Sequence, residues 1–184
     1  MTGVQTCALP IWLLVADVEP NGAIRPLLRE RELLHLGGDV AGSGTISAAA
    51  ADRAVAAVQH LTDLALRTGT DRSIVVATSA IRDATNRDEV VDRLSAAAGS
   101  PVRVLSGDEE ARLGFLGVAA SVALPDGPNL VLDLGGGSLE LAVGDRDGAP
   151  RLETTLRLGV TRLDRKSTRL NSSHMSESRM PSSA

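Results

Sequence analysis

The chain has 184 residues, 43% of them hydrophobic, and carries a formal net charge of -4 at pH 7. This size allows one domain, or one domain and part of a second, while the acidic balance and the scattered basic side chains argue against a nucleic-acid partner. Cys7 is the only cysteine and no apolar run approaches about 20 residues, so we expect no internal disulfide, no membrane partner and a cytoplasmic location.

The two ends differ in composition from the middle of the chain. Residues 1–12 contain Pro10 just before a strand-like run, and residues 165–184 are rich in serine and basic residues. Residues 165–184 have so few apolar side chains that their burial cannot offset the entropy lost on ordering. The sequence therefore predicts an atypical N-terminal segment (1–12), a first α/β domain (13–124), the start of a truncated second domain (125–164) and a disordered tail (165–184).

The first domain is predicted to open with a meander of three strands. "WLLVADVE" has the length of a strand, "NGA" signals a turn, and "IRPLLRERELLHLGG" is interpreted as one or two further strands. Ser47 then precedes a long run of helix-forming residues with apolar positions at helical spacing, and Gly69 suits its C-terminal cap. A long helix is therefore predicted between these two residues.

Strand and helix alternate in the next part of the chain. "SIVVATSA" and "PVRVLS" are predicted strands, and "NRDEVVDRLSAAAG" and "GDEEARLGFLGVAASVAL" are predicted helices. This alternation predicts a largely parallel sheet covered by helices. After the turn-rich linker "PDGPN", "LVLDLGGG" begins a new strand, and "GDRDG" marks the turn between two more. The second unit is thus predicted to begin with three strands.

A glycine triplet lies between two apolar runs and is flanked by carboxylates. The residues concerned are Asp133, Gly135, Gly136, Gly137, Ser138 and Glu140. Glycines allow backbone N–H groups to converge on an anion without obstruction by side chains. Asp133, at a strand end, could hold a hydrated Mg²⁺ that offsets phosphate charge. The structural alternative is a glycine hairpin turn beside a solvated carboxylate.

Two other charged segments also allow both a structural and a functional interpretation. In "SGDEEAR", Ser106 can cap a helix whose first turn is acidic. Arg82 follows a predicted buried strand, where α/β folds place ligands, and its guanidinium could bind phosphate in bidentate fashion. The alternative for Arg82 is a surface ion pair with Asp83 or Asp88, and Asn86 is a weaker candidate ligand.

Four motifs occur in the order found in one known family. They are "ATSAIRDATNRDE", "VRVLSGDEEARLGFLGV", "LVLDLGGGSLEL" and "LRLGVTRL". Through them, residues 13–164 resemble the exopolyphosphatase and guanosine pentaphosphate phosphatase (Ppx/GppA) family. The resemblance implies an actin-like, ribonuclease H-like α/β fold, with a mixed sheet, covering helices and a cleft between two such domains. It also implies hydrolysis of terminal phosphates of polyphosphate or guanosine pentaphosphate (pppGpp) with a divalent cation, usually Mg²⁺.

The resemblance also implies roles for individual residues. Glu110 matches the proposed general base that activates the attacking water, and Glu109 is left as a cap or surface residue. The glycine loop, Gly135, Gly136, Gly137 and Ser138, matches a phosphate loop, with Arg82 as a further phosphate ligand. Asp133 and Glu140 match acidic residues of the metal site. A homodimer is a further expectation for an intact protein of this family.

The chain departs from the family pattern in two places. Where the family has a first phosphate loop of the type Asp-x-Gly-Thr-Asn-Ser, residues 5–12 read "QTCALPIW", which lacks the aspartate, the glycine and the hydroxyl residues. The family's second domain also continues beyond about Leu163. We therefore expect this chain to be an inactive fragment with half a site. The alternative is a noncatalytic member of the actin-like superfamily that binds nucleotide or phosphate.

Overall fold

A computed structural model describes residues 9–34, 36–161 and 163 of the chain. The segment predicted to be a disordered tail lies outside the described residues, as do His35 and residues 1–8. The described elements are, in chain order, β1 (Leu9–Val18), β2 (Ile24–Leu34), α1 (Leu36–Ser43), α2 (Ala48–Arg67), β3 (Val75–Ala77), α3 (Ser79–Arg82), α4 (Arg87–Ala98), β4 (Val102–Val104), α5 (Gly107–Ser121), β5 (Asn129–Leu134), β6 (Leu139–Gly144) and β7 (Leu152–Leu156).

The opening strands form a two-stranded hairpin. β1 pairs with β2 in antiparallel register, and a register shift between Val15 and Ala16 places Pro26 beside a bulge, where its missing N–H is tolerated. The expected third strand is wrong, because the chain after β2 forms helix α1. Leu36 and Val40 lie one helical turn apart, and both pack in a hydrophobic cluster to which α2 and α4 also contribute (the first core cluster), which favours the helix.

Helix α2 has the boundaries and caps that the sequence predicts. The Ser47 side chain accepts a hydrogen bond from the backbone N–H of Ala50 at 3.3 Å. At the other end Gly69 has φ of 80°, the left-handed conformation that favours glycine. One face of α2 packs into the first core cluster through alanines and Val58. Among the described helices, none is long and apolar enough to cross a membrane.

Parallel pairing is less extensive than the sequence predicts. β3 and β4 form a parallel pair with three residues in each strand, and in the described residues neither joins the hairpin. β1 and β3 instead line a shared cavity of about 320 Å³ together with Val58 of α2. The prediction of one largely parallel sheet is therefore wrong, and Val76 of the predicted buried strand is 48% exposed.

The last three strands form the antiparallel sheet that the sequence predicts, in the order β5-β6-β7. Helix α5 packs on one face of this sheet, where Phe115 is completely buried against Ala111 and Ala142. Cross-strand pairing places Asp133 opposite Glu140, and Glu140 opposite Thr155. The glycine loop is the connection between β5 and β6, so the sheet and α5 bring it close to the start of that helix.

Candidate functional site

Arg82 and Glu110 meet although they are far apart in the sequence. Arg82 ends helix α3, and its Nη1 donates to Glu110 Oε2 at 2.7 Å and to the backbone oxygen of Leu105 at 3.0 Å. Both charged side chains are less than one-fifth exposed, at 18% and 19%. Ion pairs retained within a partly buried site are screened less by solvent than surface pairs. Arg82 and Glu110 are thus two predicted site residues that the fold brings into contact.

The expected surface partners of Arg82 are engaged elsewhere. Asp83 lies 3.2 Å from the guanidinium of Arg157, and Asp88 lies 3.0 Å from Arg87. Asn86, the weaker ligand candidate, bonds the backbone of Ile46 through both ends of its amide, at 3.0 and 2.9 Å. Asn86 therefore links α4 to the segment before α2, and this structural role is the one that the geometry supports.

The two glutamates at the start of α5 have different surroundings. Glu109 forms a capping box with Ser106: its Oε2 accepts from the Ser106 N–H at 2.9 Å, and its own N–H donates to Ser106 Oγ at 3.1 Å. The hydrogen bond from the Ser106 backbone and the contact with Arg103 lower the pKa of Glu109. The interpretation of Glu109 as a cap is confirmed. One residue later the helix has turned by about 100°, which directs Glu110 to Arg82.

The glycine loop is a tight turn that packs against α3. The N–H of Gly135 donates to the Ser138 oxygen at 3.0 Å, and Gly136, Gly137 and Ser138 are buried. A Cβ on Gly137 would lie 2.5 Å from Ser79 Oγ. Ser79 precedes Arg82 by three residues, so this contact sets the loop one helical turn from the Arg82–Glu110 pair.

Close approach, and not backbone conformation, explains the glycine at position 137. In the described residues, positive φ angles occur at Gly22, Gly44, Gly69, Gly99 and Gly127, and the loop glycines are not among them. An L-residue could therefore adopt the backbone of the triplet, but a side chain at position 137 would strike α3.

Glu140 is a buried carboxyl beside other acidic residues. It is 3% exposed, and its Oε1 accepts from Thr155 Oγ1 at 3.0 Å. Burial raises the pKa of Glu140, and the charges of Glu110 and Asp133 raise it further, against the opposing hydrogen bonds from Ser138 and Thr155. Negative charge is therefore costly at this position unless a proton or a cation compensates it.

Asp133 and Glu140 suit part of a Mg²⁺ site. Mg²⁺ is commonly bound by one or two carboxylates completed by water and substrate phosphates. The two residues are cross-strand neighbours, one exposed and the other buried with a raised pKa, a donor set that fits a hard cation. Within residues 9–34, 36–161 and 163, however, no three His, Cys, Asp or Glu side chains are grouped to hold a metal. The assignment of the metal residues stays a prediction.

Two polar residues at this site have no role that the sequence predicts. Ser79 contacts the glycine loop and Thr155 donates to Glu140. Ser79 lies in the "TSAIR" segment three residues before Arg82, a helical spacing that could have indicated its position. Thr155 is one of two adjacent threonines in a strand, and only the strand register identifies which of them faces Glu140.

A family model described as the Ppx/GppA phosphatase family matches residues 14–176, extending past the boundary predicted at residue 164. Exopolyphosphatase 1 of Mycobacterium tuberculosis (strain H37Rv) is 34% identical over 156 residues, which cover 85% of this chain and 45% of that protein. Exopolyphosphatase 2 of Mycobacterium tuberculosis (strain H37Rv) is 36% identical over 145 residues, covering 74% and 46%. The chain thus spans about half the length of the curated relatives it matches.

Solved structures of an exopolyphosphatase and of a Ppx/GppA family member are also similar to this chain. An exopolyphosphatase from Cytophaga hutchinsonii superposes with a TM-score of 0.78 at 28% identity, covering 84% of this chain and 49% of that one. The Aquifex aeolicus Ppx/GppA family member gives 0.73 at 27% identity, covering 86% and 51%. These similarities confirm the predicted actin-like α/β fold class. With a family model matched over most of its residues, the chain belongs to the Ppx/GppA phosphatase family.

Proposed function

We propose that this chain supplies half of a site that hydrolyses terminal phosphoanhydride bonds of inorganic polyphosphate, and that pppGpp is a second substrate of the same chemistry. The observation that carries the proposal is the 2.7 Å contact between Arg82 and Glu110 beside the glycine loop. This contact places the Glu110 carboxylate and the Arg82 guanidinium together, next to a turn that consists mainly of glycine. The relatives named exopolyphosphatases support polyphosphate as the substrate class.

In the proposed reaction, Glu110 is the general base. Its Oε2 is held by Arg82, so Oε1 would orient the attacking water and take its proton. The water oxygen bonds to the terminal phosphorus as the bridging P–O bond breaks. The shortened polyphosphate departs with the bridging oxygen, and the terminal group is released as inorganic phosphate. Phosphoryl transfer demands positioning and charge stabilisation more than covalent chemistry, which makes one placed carboxylate sufficient.

The glycine loop and Arg82 would hold the phosphate oxygens. The Gly135 N–H is used within the loop by the Ser138 oxygen, so the other backbone N–H groups and the guanidinium would be the preorganised donors, which stabilise developing negative charge better than mobile water does. Asp133 and Glu140 would hold Mg²⁺, and the cation, when bound, supplies further charge neutralisation. Its charge would also compensate the buried Glu140 carboxylate, whose pKa is raised by burial.

Binding without hydrolysis is the second candidate for the chain of 184 residues by itself. Residues 9–12 occupy positions where the family has its first phosphate loop, and here they are part of β1, paired with β2 from Leu9–Leu34 to Trp12–Arg31. These residues are thus extended strand, with the backbone groups that face β2 engaged in the hairpin, and they do not form a glycine-rich turn. We therefore propose that this chain alone hydrolyses polyphosphate at less than a tenth of the rate of a complete site, since a missing preorganised donor commonly costs about 10²-fold.

The test joins residues 14–161 to the remaining parts of a full-length exopolyphosphatase and measures phosphate release with Mg²⁺. In this chimera Glu110→Gln should lower kcat by about 10²- to 10⁴-fold and leave KM nearly unchanged. Glu109→Gln is the matched control, because glutamine also completes a capping box. A greater loss of kcat in the Glu109 variant would contradict the assignment of the base.

The same assay addresses the substrate and the second candidate function. Polyphosphate and pppGpp are supplied in separate reactions, and the 184-residue chain is measured beside the chimera. Release by the 184-residue chain within tenfold of the chimera would contradict the importance given to the first loop. A chimera that binds both compounds and hydrolyses neither would favour the noncatalytic alternative.

A further inference from the structure

We propose that Gly159 is a positioning residue that holds the glycine loop in its phosphate-binding conformation. It lies in the turn of residues 157–161, which follows β7 and belongs to the "LRLGVTRL" motif. The inference rests on the proposed function, because it assumes that the glycine loop binds phosphate. Gly159 is outside the loop and contributes no side chain.

Gly159 lies too close to the glycine loop to be replaced by a residue with a side chain. A Cβ on Gly159 would lie 2.2 Å from both the carbonyl carbon and the oxygen of Gly136, and 2.3 Å from the nitrogen of Gly137. All three atoms belong to the backbone of the glycine loop, so no side-chain rotation can relieve the overlap. Any other residue at position 159 must therefore displace the loop or the turn.

Two backbone hydrogen bonds join the 157–161 turn to the glycine loop. Val160 N–H donates to the Gly135 oxygen at 3.0 Å, and Thr161 N–H donates to the Gly136 oxygen at 2.9 Å. A trans peptide directs its C=O and its N–H to opposite sides, and no cis peptide bond occurs in the described residues. Holding these two carbonyls therefore turns the N–H groups of Gly136 and Gly137 away from the 157–161 turn.

The 157–161 turn is itself anchored to the rest of the site. The Arg157 guanidinium lies 3.2 Å from Asp83, which directly follows Arg82 in the chain. Two residues earlier, Thr155 donates to Glu140. The turn is thus linked to the end of α3 through Arg157 and, through the preceding strand β7, to Glu140 of β6. A rigid support lowers the cost of ordering the loop when an anion binds.

The test measures tripolyphosphate binding to the 184-residue chain by calorimetry and by the shifts of backbone amide NMR signals. Gly159→Ala should weaken binding by about 10- to 100-fold, the scale of losing one hydrogen bond to a charged group. The signals of Gly136 and Gly137, which should shift on binding in the unsubstituted chain, should no longer respond. Gly148→Ala is the matched control, because nothing lies within 4 Å of a Cβ there, and it should change neither measurement.

A second variant keeps the test decisive if Gly159→Ala does not fold, which the amide signals of α2 would reveal. Val160→Pro removes the N–H that holds the Gly135 oxygen and adds no side chain at 159, and proline is tolerated at the first position of a helical turn. It should weaken binding by about 3- to 10-fold, the scale of one neutral hydrogen bond.

The outcomes separate the two proposals. If the unsubstituted chain does not bind tripolyphosphate, the phosphate-binding role of the glycine loop is wrong, and that part of the proposed function and the binding-only alternative fail with it, whereas the role of Glu110 is tested separately in the chimera. If the unsubstituted chain binds and a folded Gly159→Ala variant binds equally well, only the role of Gly159 is overturned. Binding within twofold in a folded Val160→Pro variant would likewise overturn it where Gly159→Ala cannot be measured.

Discussion

Replacing Phe115 with alanine should test how α5, which carries Glu110, is held on the sheet. Phe115 is completely buried, and its neighbours Ala111 and Ala142 are small. A Cβ on Gly144 would lie 2.9 Å from the ring's Cζ, so the strand backbone closely approaches the phenyl group. Ala111 and Ala142 are too small to fill the space, whereas Leu124 and Val131, which also pack against this cluster, could fill part of it. We expect a loss of unfolding free energy of about 3–5 kcal/mol.

Urea unfolding followed by circular dichroism measures this loss. Leu113→Ala in the same helix is the control, because Leu113 is 49% exposed and its truncation should cost less than about 1 kcal/mol. Phe115→Leu keeps much of the apolar volume and should cost about 1–1.5 kcal/mol. A Phe115→Ala loss no larger than that of Leu113→Ala would refute the view that this ring fastens α5 to β6.

Two further predictions concern Glu140 and the cap of α2. The folded-state pKa of Glu140 lies above its ordinary value of 4.5, so the stability present below that pH is lost as the pH rises through the folded-state pKa. Glu140→Gln should therefore raise the melting temperature at pH 7 and leave it nearly unchanged at pH 4; equal effects at both pH values would contradict the argument. Ser47→Ala removes the acceptor for the Ala50 N–H and should cost about 1 kcal/mol in urea unfolding, whereas Ser47→Asp, which keeps a capping oxygen, should cost much less.

Local sequence patterns were sufficient for the elements whose stability depends on neighbouring residues. The Ser47 and Gly69 caps, the capping box of Ser106 and Glu109, and the strands around the glycine loop all follow from signals within a few positions. The sequence predicts a strand where α1 forms, because the few apolar residues of this segment give no helical pattern, and its packing in the core decides the conformation.

The sequence by itself determined the family, the actin-like fold class and the types of residue available for phosphate chemistry. Which residues meet was decided by tertiary structure: Arg82 reaches Glu110 across 28 positions, and Gly159 packs on the backbone of the glycine loop. Among the described residues, it also left β1 and β3 unpaired with each other, against the predicted sheet. The physical reason is that hydrogen-bond periodicity and capping act over a few residues, whereas contacts between distant segments depend on how whole elements pack.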